Sequence, residues 1–354
     1  MKNTNWIYSL ILLTGLIACQ SEKQQASKKA SEPGTLDTLR IALDWRPNIL
    51  HSGIFLAQSR SAYRQAGIYV DWFTPEIDNY QKKPILRLLD GEADLSIGPS
   101  EHLFYYALDT SSGSPQAEAI ASLLSKPQSV FAVHGEASIK SPADWSSVQY
   151  IGYDTPLEEA IIGSMVRKAG GNNMPEVVQP GRLAVWEAFL KEPQGMAWIF
   201  THWEGQMSPI ELQFFAPNDW GVPYGYSSVI VARKNCSPQL ETVIKRFLAV
   251  TKRHYLELAQ AKGKEKTELC LELTQQVDHS NYSSPDFLVE TLEDIQPAFY
   301  ADQPEDWGRM DPDRWKDYME WISKNKLLDS ALPSGTSEKW FTHELLPDPE
   351  KLKP

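Results

Sequence analysis

From residue 38 onward, short apolar strands alternate with amphipathic helices, and this rhythm admits few architectures. Leu39–Leu43 reads as a strand. His51–Gln65 then carries Ile54, Phe55, Ala57, Ala62 and Tyr63 at helical spacing and stops at Gly67, a common C-terminal cap. Ile68–Phe73 is a second strand, Pro84–Leu89 a helix ending at Asp90-Gly91, Ala93–Ile97 a third strand and Glu101–Leu108 a further helix. Strands at helical intervals of this kind imply βαβ units and a mainly parallel sheet.

A second α/β set begins near His134. Val148–Gly152 reads as a strand, and Thr155-Pro156-Leu157-Glu158 opens a helix with an N-cap, a proline at the first helical position and a capping-box glutamate. Met196–Phe200 is another strand, and Ser227–Ala232 returns the chain to the first set. Long helices over Pro238–Ala261, Lys264–Val277, Pro285–Ile295 and Pro312–Asn325 follow. The pattern predicts an α/β protein of two lobes, 38–133 plus 228–354 and 134–227, joined by two crossings. A cleft at the strand C-termini is then the expected ligand site.

Charge narrows the partners. With 34 Lys+Arg against 46 Asp+Glu the net charge is −12, and no basic run exceeds two residues. Nucleic acid is therefore not an expected partner. Lys2 precedes a mostly apolar run from Ile7 to Ala18, the size of a signal-peptide core and too short to span a bilayer. It closes on Leu16-Ile17-Ala18-Cys19, which resembles a bacterial lipobox. That implies cleavage of residues 1–18 and a lipid anchor on Cys19; a plain secretory signal with a chance cysteine is the alternative. Residues 19–37, rich in Ser, Lys, Gln and Glu, read as a tether with too little apolar surface to order itself. Cys236 and Cys270 could pair in an oxidising compartment, or Cys270 could be a buried free thiol in a helix.

The segment Leu43-Asp44-Trp45-Arg46-Pro47-Asn48-Ile49-Leu50-His51-Ser52-Gly53 resembles the opening of substrate-binding proteins that serve thiamine-pyrimidine uptake. That family is shared with the fungal pyrimidine synthase and related to sulfonate- and nitrate-binding proteins. Gly91-Glu92-Ala93-Asp94-Leu95, Gly98-Pro99-Ser100-Glu101, Ile151-Gly152-Tyr153, Trp198–Glu204 and Pro223–Ser227 continue the resemblance, which covers about 38–330. It implies a type II periplasmic-binding-protein fold, capture of a small ligand, delivery to an ABC permease, a monomer and no cofactor.

Several residues are candidates for the cleft. Trp45 follows the first strand and would stack on a flat ring, or else fill the lobe core. Asn48 belongs to the same block. Glu101 opens a helix at another strand end; its other reading is a carboxylate favoured by the helix dipole. His102 beside it either faces the cleft or is an ordinary surface residue. Glu204 lies three residues after Thr201 and could be a capping-box glutamate, whereas the resemblance implies that it grips an aminopyrimidine. Tyr224 and Tyr226 flank Gly225 at the second crossing, either to close an aromatic sandwich or as hinge packing. Trp203 and Tyr80 are weaker aromatic candidates, and His51 is expected to shape the loop after Trp45.

Sulfonate and nitrate binders typically use bare helix N-termini as anion sites. Here Glu101, Glu158, Glu159 and Glu204 occupy the first turns, which favours a neutral or cationic ligand with hydrogen-bond donors. The synthase resemblance would need a lysine where Gly98 stands and a cysteine-rich iron-binding run that the sequence lacks, although His102 matches a histidine of that enzyme. No metal-ligand spacing, nucleophile elbow or phosphate loop is present either. Binding an aminopyrimidine is thus the leading expectation. Another heterocycle or amine such as a flavin precursor, a synthase-like enzyme, or a lipoprotein acting as sensor or assembly factor are the alternatives.

Overall fold

A computed structural model describes residues 36–348 apart from Thr110, Pro156, 329–331 and 333–336. The expected signal peptide, the Cys19 anchor, the tether up to residue 35 and the first-turn Pro156 lie outside the described residues.

Two five-stranded sheets organise the chain. The first contains β1 (Asp37–Leu43), β2 (Ile68–Phe73), β3 (Leu95–Gly98), β4 (Ala117–Ser122) and β10 (Val229–Arg233), in the order β2-β1-β3-β10-β4. The second contains β5 (Ser129–His134), β6 (Gln149–Ile151), β7 (Glu176–Val178), β8 (Gly195–Phe200) and β9 (Leu212–Phe215), in the order β9-β5-β8-β6-β7. In the first sheet β1 runs parallel to β2 and β3, while β10 is antiparallel to β3 and β4. In the second, β6 runs parallel to β7 and β8, while β5 is antiparallel to β8 and β9. Both sheets thus share one plan: second, first, third, an antiparallel strand that has just arrived from the other sheet, then fourth.

That plan shifts the expected first crossing. The sequence pattern places residues 129–133 in the first lobe, yet Ser129–His134 pairs within the second sheet, so the change of sheet falls in 123–128. The run Ser129-Val130-Phe131-Ala132-Val133 is buried throughout and lacks the alternation that marks a half-exposed strand.

Local signals explain most element boundaries. The expected helix over 51–65 breaks into Ser52–Ser59 and Ala62–Gln65 at Ser61, whose φ of 56° is left-handed. A Cβ on Gly53 would sit 2.4 Å from the Tyr255 ring, so glycine lets this helix pack closely against the helix Pro238–Gln260. Val243, Ile244, Phe247, Leu248, Tyr255 and Leu258 of the long helix face the first-sheet core. The helix expected from Thr155 starts three residues later, at Glu158. Glu158 accepts from Thr155 Oγ1 at 3.0 Å and from the Tyr153 amide at 3.0 Å. Cys236 and Cys270 are both free thiols. No helix among the described residues is long and apolar enough to cross a membrane.

Candidate functional site

The segments that leave the strand C-termini converge on one cavity of about 140 Å3. Engineered apolar cavities of ~150 Å3 admit a benzene-sized ring, so a single heterocycle with a short substituent is the natural scale. Asp44 and Trp45 follow β1; Tyr80 and Lys83 follow β2; Pro99, Glu101 and His102 follow β3. From the second sheet come Tyr153, Thr155, Leu157 and Glu158 after β6, Arg182 after β7, and Ile199, Phe200 and Glu204 at and after the end of β8. Tyr224 and Ser227 enter from the segment that precedes β10.

Three carboxyls share the inner wall. Burial pushes Asp44, Glu101 and Glu204 up to about 7 each, with the charge of Glu101 adding to the effect on Asp44. Glu101 Oε1 accepts from the Tyr224 hydroxyl at 2.9 Å, and the Tyr318 hydroxyl stands beside the same carboxyl. Glu101 Oε2 and Asp44 Oδ1 are buried without a hydrogen-bond partner. Glu204 sits in a single π-helical turn, Thr201–Gly205, directly after β8. Its Oε2 accepts from the Phe200 amide at 3.1 Å, and the Trp45 indole N–H favours its ionised form by hydrogen bonding. Glu204 therefore does a capping-like task with one oxygen while its carboxyl still borders the cavity.

The apolar walls are aromatic. Trp45 meets Tyr153 edge-on at 5.8 Å and Tyr80 at 6.4 Å, while Trp198 meets Tyr224 at 5.3 Å. Behind Tyr224 stands Tyr318, from the helix Pro312–Lys324. His102 faces the cavity and is held neutral, its pKa lowered to about 3 by burial and by nearby Lys83 and Arg182.

Trp45, Glu101, His102, Glu204 and Tyr224 thus line one cavity, as do Tyr80 and Glu158. Asn48, Trp203 and Tyr226 do not, and each departure has a physical reason. Asn48 is buried beneath the loop, where its side chain accepts from the Leu50 amide at 2.9 Å and its own amide donates to His51 Nδ1 at 3.3 Å. Tyr282 donates to the Asn48 carbonyl, and Asn281 donates to the Pro47 carbonyl at 2.8 Å. The most specific stretch of the sequence is therefore largely a clamp that fixes where Trp45 stands. Trp203 joins the first-sheet core and packs on Phe287 at 5.2 Å. Tyr226 accepts from the Asp311 amide at 2.6 Å and lies under Arg314, outside the cavity. Glu159 is exposed and away from this wall.

Asp44, Lys83, Tyr153, Arg182 and Trp198 are cavity residues that the sequence reading did not single out. Asp44, Tyr153 and Arg182 follow strand ends, the same position that pointed to Trp45 and Glu101. Trp198 lies inside a strand, where pattern alone cannot separate a cavity wall from core. Among the described residues, no group of three or more His, Cys, Asp or Glu side chains is arranged to hold a metal ion.

Known proteins agree with this architecture. The NMT1/THI5-like family profile matches residues 48–262. The formylaminopyrimidine-binding protein of Halalkalibacterium halodurans is 23% identical over 356 residues, covering 95% of this chain and 100% of that protein. The alkanesulfonate-binding protein SsuA of Xanthomonas axonopodis pv. citri, bound to MOPS, superposes with a TM-score of 0.61 at 12% identity, covering 87% of this chain and 100% of its own. The nitrate-binding protein NrtA of Synechocystis PCC 6803 gives 0.57 at 11% identity, with 88% and 87% covered. Likeness at such low identity speaks for the fold, whereas the family profile spans more than half of the sequence. The chain belongs to the NMT1/THI5-like family and has the type II periplasmic-binding-protein fold.

Proposed function

We propose that this protein captures an aminopyrimidine, a precursor of the thiamine pyrimidine, as the extracytoplasmic solute-binding lipoprotein of an ABC importer. Cys19 would carry the lipid, and the two sheets would act as lobes closing on the crossings at 123–128 and 216–228. The observation that carries the reading is the buried carboxyl trio Asp44, Glu101 and Glu204 in the same cavity as Trp45.

Buried carboxyl oxygens without donors, here Glu101 Oε2 and Asp44 Oδ1, are costly, and a ligand bringing N–H groups relieves that cost. An aminopyrimidine edge matches a carboxyl in two ways. Its exocyclic amine donates to one oxygen, and its ring nitrogen either accepts the carboxyl proton or, once protonated, donates. A group titrating near 7 supports both. Its flat ring matches the space beside Trp45, where stacking adds about 0.5–1.5 kcal/mol beyond burial. The name of the Halalkalibacterium halodurans relative points the same way. The relatives named for an alkanesulfonate and nitrate do not, since the three acids of the inner wall disfavour an anionic group at that wall.

Titration calorimetry of the purified protein with 4-amino-5-hydroxymethyl-2-methylpyrimidine and its aminomethyl and formylaminomethyl analogues tests the proposal. Binding of at least one is expected. Silence with all of them, together with thermal stabilisation by an alkanesulfonate, overturns it.

A further inference from the structure

At the cavity rim stand two cations that the inner acids do not neutralise. Lys83 and Arg182 are half-buried cavity residues, and among the described residues neither makes an ion pair with any carboxylate. Their surroundings are aromatic and carbonyl. Lys83 Nζ lies 5.8 Å from the Tyr106 ring centroid, and the Arg182 guanidinium 5.1 Å from that of Tyr80. Arg182 Nε donates to the Tyr153 carbonyl at 2.8 Å and Nη2 to the Asp154 carbonyl at 3.1 Å.

The backbone is arranged to hold them there. Tyr80 and Asp154, which flank the guanidinium, both adopt left-handed φ, 59° and 58°. Such strain in non-glycine residues is retained where surrounding structure demands it, and it gathers at ligand sites. Lys83 precedes Pro84, which restricts it to an extended backbone and so fixes the direction its side chain leaves the chain. Two acids lie within electrostatic reach of Lys83. Glu158 is occupied by the Tyr153 amide and the Thr155 hydroxyl, and Asp154 is exposed.

Resting on the aminopyrimidine reading, we infer that the cavity is bipolar: the acids take the ring edge, and Lys83 with Arg182 takes an anionic tail, specifically a phosphate monoester on the ring substituent. The two ends then select a ligand that is nitrogen-rich at one side and dianionic at the other. Lys83, lowered to about 8 by burial and by Arg182, regains its proton fully when such a tail arrives. A wall of acids alone gives no reason to keep a lysine in that state.

The test compares 4-amino-5-hydroxymethyl-2-methylpyrimidine with its phosphate monoester by calorimetry at pH 7.5, on the wild-type protein and on Lys83→Met, Lys83→Arg and Arg182→Gln. The ester is expected to bind at least tenfold tighter to the wild type. The advantage should vanish in Lys83→Met and Arg182→Gln, return in Lys83→Arg, and shrink above pH 8. If the alcohol binds and the ester gains nothing, the bipolar assignment falls while the aminopyrimidine reading stands. If neither binds, both fall. The wild-type comparison decides without any variant, and circular dichroism checks that each variant is folded.

Discussion

The Tyr224 hydroxyl donates to Glu101 Oε1 at 2.9 Å, joining the segment before β10 to the helix that follows β3. This bond favours the ionised carboxylate, against a burial that lifts Glu101 to about 7. Tyr224→Phe removes the bond and leaves the ring. Glu101 should then hold its proton to higher pH, so affinity for the aminopyrimidine drops about three- to tenfold at pH 7 and recovers by pH 8.5. A loss of equal size at both pH values would assign Tyr224 a packing role only.

Glu204→Gln keeps an oxygen for the Phe200 amide, so the π-helical turn should survive. What disappears is the charged acceptor, worth about 1.5–3 kcal/mol to a donor in this setting. The dissociation constant measured by calorimetry should rise roughly ten- to 150-fold. Unchanged affinity would remove Glu204 from the ligand contact.

Gly225 has no room for a side chain: its Cβ would lie 2.5 Å from the Tyr318 ring and 2.7 Å from Ser100 Oγ. Gly225→Ala should push Tyr318 away from Glu101 and Tyr224, destabilising the fold by about 1–3 kcal/mol through overpacking and weakening ligand binding. Denaturant unfolding and calorimetry together check this. By contrast, Tyr226→Phe breaks the bond from the Asp311 amide and the interaction with Arg314, both outside the cavity, so stability should fall by about 1 kcal/mol with affinity intact.

Two sets of buried groups oppose each other in pH. Asp44, Glu101 and Glu204, raised to about 7, carry protons in the folded chain that the unfolded chain loses from about pH 4 upward. Their effect is to lower stability as pH climbs towards and through 7. His51, His102 and His202, lowered to about 3 by burial, contribute stability above their ordinary value near 6.5 and lose it as pH falls towards 3. Between about 4.5 and 6.5 the sets offset one another; above 6.5 only the carboxyls act. The unfolding temperature of ligand-free protein should therefore decline from pH 6.5 to 8, and Glu204→Gln should flatten the decline. A rise across that window refutes the assignment.

Much of this architecture was legible because strand ends and helix starts carry local chemistry. Pro84–Leu89, Pro285–Ile295 and Ile68–Phe73 form where the sequence reading put them, each bounded by a proline or a glycine. Trp45 and Glu101 were visible because each follows a strand, and Glu204 through the family resemblance of its region. The same rule applied to Asp44 and Arg182, whose types suggested nothing beyond surface charge. Asn48 and Trp203 misled for the opposite reason: a distinctive motif can be distinctive because it holds a loop. Trp203 points away from the cavity although it adjoins Glu204, because consecutive residues of a helical turn face different sides, which spacing alone does not record.

The shared strand plan also bears on how the chain is made. All five strands of the second sheet lie between residues 129 and 215, whereas β3 and β4 of the first are joined only through β10, at 229–233. As the polypeptide emerges from its N-terminus, the later-starting sheet is the earlier to be complete. The first half of the molecule must wait, with a gap at its centre, for a strand synthesised more than a hundred residues after its neighbours.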